Sequence, residues 1–519
     1  MLLLLGGNDG WPTALLVAQI AWRFSVVMVA SFPMKIPIHV DIDPRWASHA
    51  SYALHVLLDG AGYRCEHVGE ASLADVVYSR HKPRGGKPAT LWIKADDITD
   101  WNSASARMTS YEGISVFQQS IEMSLESGGS GMVFPDLVYS TYALLTGAFE
   151  QTQRRDDWGV VIAADSFLDK TGALQMPLVP LYAEMLGKQL ARLAGGRPCV
   201  PRWPNGKRYA VVMSHDVDAP YSCPTFAYRL KWMRRNLRVG NLVGAAKSTV
   251  RAAQTGLNLL RGRQARAQQD PNFCFDKWID LEASVGAKSC FYVAVRSSAD
   301  EFGTKVDVAY DYRDPAILSA LHRAISKGWE IGLHASICTR DRSGSFEAEK
   351  EQLERRLDGY KLAGVRHHYW ALNANLPEET LSAHAKAGFE YDSSLGMNDR
   401  PGFRRGMAWP FMPFDRVNRG TVPIVEIPPT IMDGSIFYNA VSAEEGYRAI
   451  KQHVESVFLV GGAVVLDWHL EQLNPELLRG AGPILARVLQ ELAGDSEIYW
   501  TTPEGLCRWW KERSKLNLS

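Results

Sequence analysis

The sequence lacks the compositional features that mark a specialised class of protein. Its 519 residues carry 57 basic and 57 acidic side chains, and this zero net charge excludes a global preference for nucleic acid or acidic lipid. Its seven cysteines are scattered and form no CxxC pair, so we expect reduced thiols, a cytoplasmic setting and no disulfide framework. Apolar residues make up 46% and charged residues 22%, which is typical of an ordinary globular chain, here long enough for several domains.

An uninterrupted apolar run that would make a good membrane span is also missing. Residues 1–33 are apolar, but Gly6-Gly-Asn-Asp-Gly10 interrupts them. Arg23 lies in the more apolar half, where a charge at the bilayer centre costs roughly 2.5–3.5 kcal/mol. No Lys or Arg precedes the run Leu2–Leu5, which argues against a signal peptide. We interpret residues 1–33 as an over-extended reading frame or a loosely attached segment, and a peripheral membrane anchor is the alternative.

Residues 34–205 have a mixed α/β pattern without a catalytic constellation. Apolar periodicity predicts short strands at 36–40 and 90–93 and helices at 48–58, 137–149 and 178–193. The Pro- and Gly-rich stretch 195–206 is typical of a linker. Four clustered acids near strand ends are best explained as solvated loop residues: Asp41, Asp43, Asp96 and Asp97. We therefore predict an accessory domain over 34–205.

The most informative stretch is Tyr209–Pro220, an apolar run that ends in His215, Asp216 and Asp218. It predicts a strand buried on both faces, as in a parallel sheet. Acids spaced i, i+2 on a strand point the same way, so both can face one site. A strand followed by an Asp-rich turn would explain the motif equally well.

Downstream, apolar strands alternate with helical segments, which indicates βαβ units and a parallel sheet. The end of each successive strand carries titratable side chains: Asp216 and Asp218, His334, Arg366 and His368, Asp392, and His469. In a barrel of parallel strands these positions share one mouth. Five such strand ends in order favour a metal-assisted hydrolase over a chance arrangement.

Residues 228–266 form a basic segment with ten Lys or Arg and no acid. One interpretation is a pair of basic amphipathic helices that makes peripheral contact with anionic lipid or an anionic polysaccharide. A solvated helical insertion is an equal alternative, because four glycines interrupt it: Gly240, Gly244, Gly256 and Gly262.

The order of these motifs over residues 206–519 resembles the polysaccharide deacetylases that share the NodB homology domain. The matching blocks are Ser214-His-Asp-Val-Asp218, Gly332-Leu-His-Ala-Ser336, Val365-Arg-His-His-Tyr369, Tyr391-Asp-Ser-Ser-Leu-Gly396 and Leu466-Asp-Trp-His469. The resemblance implies an α/β fold, a distorted (β/α) barrel preceded by a smaller mixed α/β domain. Residues 34–205 resemble the N-terminal domain that accompanies one subgroup of the family.

The resemblance also implies a divalent metal, with zinc as the expected ion. The family's histidine motif supplies imidazoles at i and i+4, but this sequence has Cys338 at the second position. We expect Asp218, His334 and His368 as the ligands. Cysteine also binds zinc as a thiolate, so Cys338 in place of His368 is one alternative, and loss of the metal site is another.

The family's activity implies roles for four further residues. Asp216 would be the general base and His469 the general acid. Arg366 would keep Asp216 ionised, and Asp392 would orient or charge His469. Aromatic residues near the mouth could stack on sugar rings: Trp370, Trp409, Phe411 and Trp468.

We therefore expect a hydrolase that removes N-acetyl, or less favourably O-acetyl, groups from a polysaccharide or glycan precursor. The expected partner is an amino-sugar substrate and not a nucleic acid; the sequence does not define an oligomeric state. Two alternatives remain: a catalytically silent glycan-binding scaffold, favoured by Cys338, and a small-molecule amidohydrolase acting on non-peptide C–N bonds.

Overall fold

The structure is a computed structural model. It describes residues 35–83, 90–103, 107–117, 133–193, 200–222, 270–296, 307–340, 345–440, 442–474 and 480–515, with isolated positions at 234, 246, 249, 250, 253, 477 and 478. The predictions for residues 1–33 and for the basic segment 228–266 lie outside the described residues, apart from those isolated positions. Among the described residues, no helix is both long enough and apolar enough to cross a bilayer.

The N-terminal region contains a five-stranded, fully parallel sheet with the order β2-β1-β3-β4-β7. A separate antiparallel hairpin, β5-β6, follows β4 in the chain. The strands are β1 Lys35–Asp41, β2 Arg64–His67, β3 Val76–Ser79, β4 Leu91–Lys94, β5 Met108–Tyr111, β6 Ile114–Phe117 and β7 Val133–Phe134.

The described part of this region contains four α-helices: α1 Ala47–Gly60, α2 Leu137–Thr146, α3 Phe167–Lys170 and α4 Leu178–Leu193. Helix α2 shows why these residues form a helix here. Asp136 caps its first turn, since Oδ1 accepts from the backbone N–H of Tyr139 at 2.8 Å. Gly147 ends it in the left-handed conformation at φ 65°.

A second parallel sheet of nine strands carries the predicted strand ends. Its strands follow the order β15-β12-β11-β10-β9-β8-β17-β16, and β18 pairs with the first half of β8. The strands are β8 Tyr209–Val217, β9 Ser289–Val293, β10 Glu330–Ala335, β11 Gly364–His367, β12 Tyr391–Asp392, β15 Val425–Glu426, β16 Ile431–Met432, β17 Ala463–Asp467 and β18 Ile498–Thr501. A short antiparallel hairpin lies between β12 and β15: β13 Phe414–Asp415 and β14 Gly420–Thr421.

Helices connect most of these strands, as the βαβ pattern predicts. They are α5 Phe275–Ser284, α6 Pro315–Ser326, α7 Ser345–Arg356, α8 Pro377–Lys386, α9 Asp433–Phe437, α10 Ala443–Leu459, α11 Ala481–Ala493 and α12 Pro503–Lys515. The sheet curls into an open half-barrel, so the predicted fold class, an α/β chain with a distorted (β/α) barrel, is confirmed. Both sheets belong to one compact unit, Phe32–Ser519. The domain boundary near residue 205 stays a prediction.

Strand β8 lies at the centre of this sheet, and all but its first residue are buried. Its alternation separates two kinds of side chain. Ser214 and Asp216 face Arg366, whose Nη1 donates to Oγ of Ser214 at 2.8 Å. His215 points the other way, where its Nε2 lies 2.7 Å from Oε1 of Glu282 and its ring stacks on Trp278. His215 is therefore a core histidine with satisfied partners.

Candidate metal centre and catalytic cleft

Three potential metal ligands converge at the carboxyl ends of β8, β10 and β11. Ligand atoms of Asp218, His334 and His368 all lie within 4.8 Å of one another. Nε2 of His334 is 3.3 Å from Oδ1 of Asp218, and Nε2 of His368 is 3.4 Å from Oδ2 of Asp218. One carboxylate and two imidazoles form a donor set found in open catalytic zinc sites.

The hydrogen bonding of the cluster fits a divalent cation. Oδ1 of Asp218 and Nε2 of His334 are buried and make no hydrogen bond within the described residues. Nδ1 of His334 lies 3.1 Å from the carbonyl oxygen of Arg366, an arrangement that places the proton on Nδ1 and leaves the Nε2 lone pair available. Buried polar atoms without partners are costly unless something satisfies them, and a cation satisfies both at once.

His368 is held from behind by a second carboxylate, Asp307. Nδ1 of His368 lies 3.4 Å from Oδ1 of Asp307, which is the carboxylate–histidine arrangement that orients imidazole ligands. Burial lowers the pKa of His368, but the charges of Asp218 and Asp307 outweigh burial and raise it to about 9. A bound cation would displace that proton, because a metal ligand must be deprotonated.

Cys338 does not belong to the ligand cluster. The group of ligand atoms within 4.8 Å contains His368 in the third position. Sγ of Cys338 lies instead 3.7 Å from Oδ2 of Asp307, which also accepts from Oγ of Ser336 at 2.7 Å. The thiol is therefore a neighbour of the carboxylate that orients His368.

Asp216 lies beside the ligand cluster and is paired with Arg366, as expected. Nη1 of Arg366 donates to Oδ1 of Asp216 at 2.9 Å, and the same nitrogen lies 2.7 Å from Oδ1 of Asp467. Burial raises the pKa of Asp216, but Arg366 together with the imidazoles of His334 and His469 outweighs burial and holds it below its usual value. For Asp467, burial wins and the pKa is raised well above its usual value.

His469 also lies beside the cluster, with Nε2 3.6 Å from Oδ2 of Asp218. Nδ1 of His469 is 3.0 Å from Oδ1 of Asp433, and the backbone N–H of His469 donates to Oδ2 of Asp433 at 2.7 Å. Burial lowers the pKa of His469, but the surrounding carboxylates, Asp433 foremost and then Asp218, together outweigh burial and raise it well above its ordinary value. The surroundings of this imidazole thus favour its protonated form.

The predicted role of Asp392 as the partner of His469 is wrong, because Asp433 takes that place. Oδ2 of Asp392 lies 2.8 Å from Nδ1 of His384 on α8, and Oδ1 accepts from the backbone N–H of Ser394 at 2.8 Å. Neither partner lines the cleft over the ligand cluster. Asp392 lies in the sequence block that resembles the family's motif, but its side chain contacts His384 of α8 and not His469.

A cleft of about 320 Å³ opens over the cluster. Its lining includes residues from the N-terminal region as well as from the sheet: Asp156, Trp158, Asp216, Asp218, His368, Tyr369, Trp370, Asn398, Asp433, Tyr438, His469 and Glu471. Among the four predicted stacking residues, Trp370 lines this cleft. Trp409 and Phe411 line a separate groove beside α1, and Trp468 is fully buried.

Sequence reasoning missed four residues around the site: Asp433, Asp307, Asp467 and Trp158. Asp433 directly follows Ile431–Met432, so it is one more strand end, but the strand is too short to show periodicity. Asp467 lies in the predicted final block, beside His469. Asp307 and Trp158 come from irregular segments whose sequence carries no comparable signal.

Several solved structures are similar at a low level. A Mycobacterium smegmatis protein described as a polysaccharide deacetylase covers 61% of this chain and 96% of its own, at 15% identity and TM-score 0.39. An allantoinase covers 62% and 95%, at 12% identity and TM-score 0.36. A Pseudomonas aeruginosa PAO1 protein described as a polysaccharide deacetylase covers 61% and 96%, at 12% identity and TM-score 0.36. No family model matches the sequence, and no curated protein matches it significantly. Similarity at this level carries over no activity.

Proposed function

We propose that the chain is a metal-dependent hydrolase that removes N-acetyl groups from an amino-sugar polysaccharide or glycan precursor; removal of O-acetyl groups is the less favoured alternative. One observation supports this most strongly. Two groups with opposite charge partners lie next to the ligand cluster: the Asp216 carboxylate is paired with Arg366, and the His469 imidazole is paired with the Asp433 carboxylate. A hydrolytic amide cleavage needs a base that is ionised and an acid that is protonated, both within reach of the reacting groups.

Asp218, His334 and His368 would hold the ion, and zinc is the ion that we propose. When bound, such an ion polarises the acyl oxygen and lowers the pKa of water toward ~7. Asp216 accepts the proton of the attacking water, while Arg366, itself hydrogen-bonded to Ser214, keeps the position of the carboxylate fixed. His469 donates a proton to the leaving nitrogen, and Asp433 stabilises the imidazolium until that transfer.

The direct test is acetate release from N-acetylglucosamine oligomers by the full chain, first stripped with a chelator and then reloaded with zinc. We expect release by the reloaded protein and none by the stripped protein. Asp216→Asn should retain zinc and lose activity, because this substitution removes the base and leaves the three ligands in place.

Two other outcomes would reject the proposal in different ways. A glycan-binding scaffold would bind oligomers but carry neither metal nor acetate-releasing activity. A small-molecule amidohydrolase would carry the metal, release no acetate from oligomers and open a cyclic amide such as a hydantoin.

A further inference from the structure

Three aromatic rings form a stacked column that ends on the metal-ligand cluster. The ring of Tyr369 lies 3.9 Å from that of His368 at an interplanar angle of 14°. The ring of Trp158 lies 4.2 Å from that of Tyr369 at 11°. Two rings at such distances cannot share one face, so Tyr369 is sandwiched between Trp158 of the N-terminal region and the ligand His368.

The backbone under this column is strained. Tyr369 and Trp370 have φ of 57° and 54°, in the left-handed region that is unfavourable for bulky side chains. Such conformations persist only where surrounding contacts hold them, and they concentrate at functional sites. Here the left-handed conformation turns the chain directly after His368, and this turn allows the rings of His368 and Tyr369 to stack.

The contacts around this turn connect it to the N-terminal region. Nδ2 of Asn398 donates both to the carbonyl oxygen of Tyr369 at 3.1 Å and to Oδ2 of Asp156 at 2.8 Å. Oδ1 of Asp156 accepts from the backbone N–H of Trp158 at 2.9 Å. Nη1 of Arg340 donates to the carbonyl oxygen of Trp158 at 2.6 Å. The backbone N–H and the carbonyl oxygen of Trp158 are thus both hydrogen-bonded, and its ring packs against that of Tyr369.

We propose that Trp158 is a positioning residue of the metal centre, which the N-terminal region supplies to the barrel. Through Tyr369 it fixes the plane of the His368 imidazole, while Asp307 fixes the hydrogen bond at Nδ1. The N-terminal region is on this account a part of the site. The proposal rests on the proposed metal dependence, and it concerns the affinity of the site for its ion.

The test is the zinc affinity of the stripped full chain, measured by competition with a chromophoric chelator. Trp158→Ala should weaken zinc binding about 10- to 100-fold, the usual effect of removing a residue that orients a metal ligand. Trp158→Phe keeps a ring to stack on Tyr369 and should bind zinc nearly as tightly as the wild-type chain.

Phe414→Leu is the matched control. Phe414 packs on His49 and Tyr52 of the N-terminal region and lines the groove beside α1, away from the cleft. Its substitution should lower stability and leave zinc affinity unchanged. Equal losses in Phe414→Leu and Trp158→Ala would show that a looser packing of the two regions is the cause, and would overturn the proposal.

Three further results separate the remaining possibilities. Unchanged zinc affinity in Trp158→Ala overturns the positioning role. Unchanged affinity together with a raised KM for N-acetylglucosamine oligomers would make Trp158 a substrate-contacting wall of the cleft instead. Failure of the wild-type chain to bind zinc would overturn the metal centre itself, and with it any role for Trp158 there.

Discussion

Two of the buried carboxylate clusters in this molecule differ in whether their carboxylate and imidazole atoms have hydrogen-bond partners. Glu150, in the N-terminal region, is paired with Arg404 of the barrel. Nε and Nη2 of Arg404 donate to its two carboxylate oxygens at 3.0 and 2.9 Å. In the cleft, the atoms Oδ1 of Asp218 and Nε2 of His334 are also buried but make no hydrogen bond within the described residues.

This difference separates a structural ion pair from a functional site better than charge does. Burial raises the pKa of Glu150, but Arg404 and Arg405 outweigh burial and lower it to about 2. The pKa of Asp218 is also held well below its usual value. The direction of the pKa shift is therefore the same in both clusters, whereas only the cleft leaves ligand atoms available for an ion.

The largest effect should come from removing a ligand. Asp218→Ala and His334→Ala should each reduce the metal content from about one ion per chain to almost none, because two remaining ligands hold an ion poorly. Elemental analysis after dialysis measures this. Glu150→Gln alters the other cluster, in which Glu150 is paired with arginines (the closed cluster), and this variant should keep the metal ion of the cleft. Equal metal loss in Glu150→Gln would remove the distinction between the two clusters.

Removing the proposed acid should damage catalysis and spare the metal. His469→Ala should lower turnover on the order of 10²–10⁴-fold, the range usual for loss of a general acid. Its zinc content should equal that of the wild-type chain. Steady-state acetate release alongside metal analysis tests this, and full activity in the variant would assign the acid to another residue.

Breaking the closed cluster should damage stability and spare the chemistry. Glu150→Gln leaves Arg404 buried without its charged partner, so we expect a loss of about 3–5 kcal/mol in the free energy of unfolding. Urea titration at neutral pH measures it. A free energy of unfolding like that of the wild-type chain would contradict the assigned role.

The same pair predicts an acid dependence. The pKa of Glu150 is about 2 in the folded chain against an ordinary value of 4.5. Its stabilising contribution is therefore present above pH 4.5 and is lost as the pH falls toward 2. This part of the acid-induced loss of stability should be absent in Glu150→Gln, and parallel pH profiles for the two proteins would argue against it.

The smallest effect separates two aspartates that the sequence alone does not distinguish. Asp433→Asn removes the charged partner of His469 and should slow turnover roughly 10- to 100-fold, since a hydrogen bond to a charged group is worth ~1.5–3 kcal/mol. Asp392→Asn should leave turnover of the folded protein unchanged, because Asp392 supports His384. The reverse order of effects would restore Asp392 as the catalytic partner.

The fold and the centre of the site were predictable because the ends of long apolar strands are visible in the sequence. Tyr209–Val217, Glu330–Ala335 and Ala463–Asp467 are buried strands, and each delivers polar side chains where its apolar run stops. Parallel pairing then brings these ends to one edge. This reasoning needs only periodicity and topology.

The partner of His469 was not predictable in the same way. Tyr391–Asp392 and Ile431–Met432 are strands of two residues each, which is too short for a periodic signal. The first strand ends in Asp392 and the second is followed by Asp433, and only the three-dimensional structure shows that Asp433 is the one that reaches the histidine. Trp158 and Asp307 reach the site from irregular segments, so their positions depend on tertiary packing.

The central claim is that the cleft holds one catalytic metal ion, and anomalous X-ray diffraction at the zinc edge tests it most directly. The account predicts a single peak in crystals of the zinc-loaded chain, about 2.0–2.2 Å from a carboxylate oxygen of Asp218 and from Nε2 of His334 and His368. A peak bonded to Sγ of Cys338 at ~2.3 Å would contradict the ligand set. The absence of any peak in the cleft would contradict the claim itself.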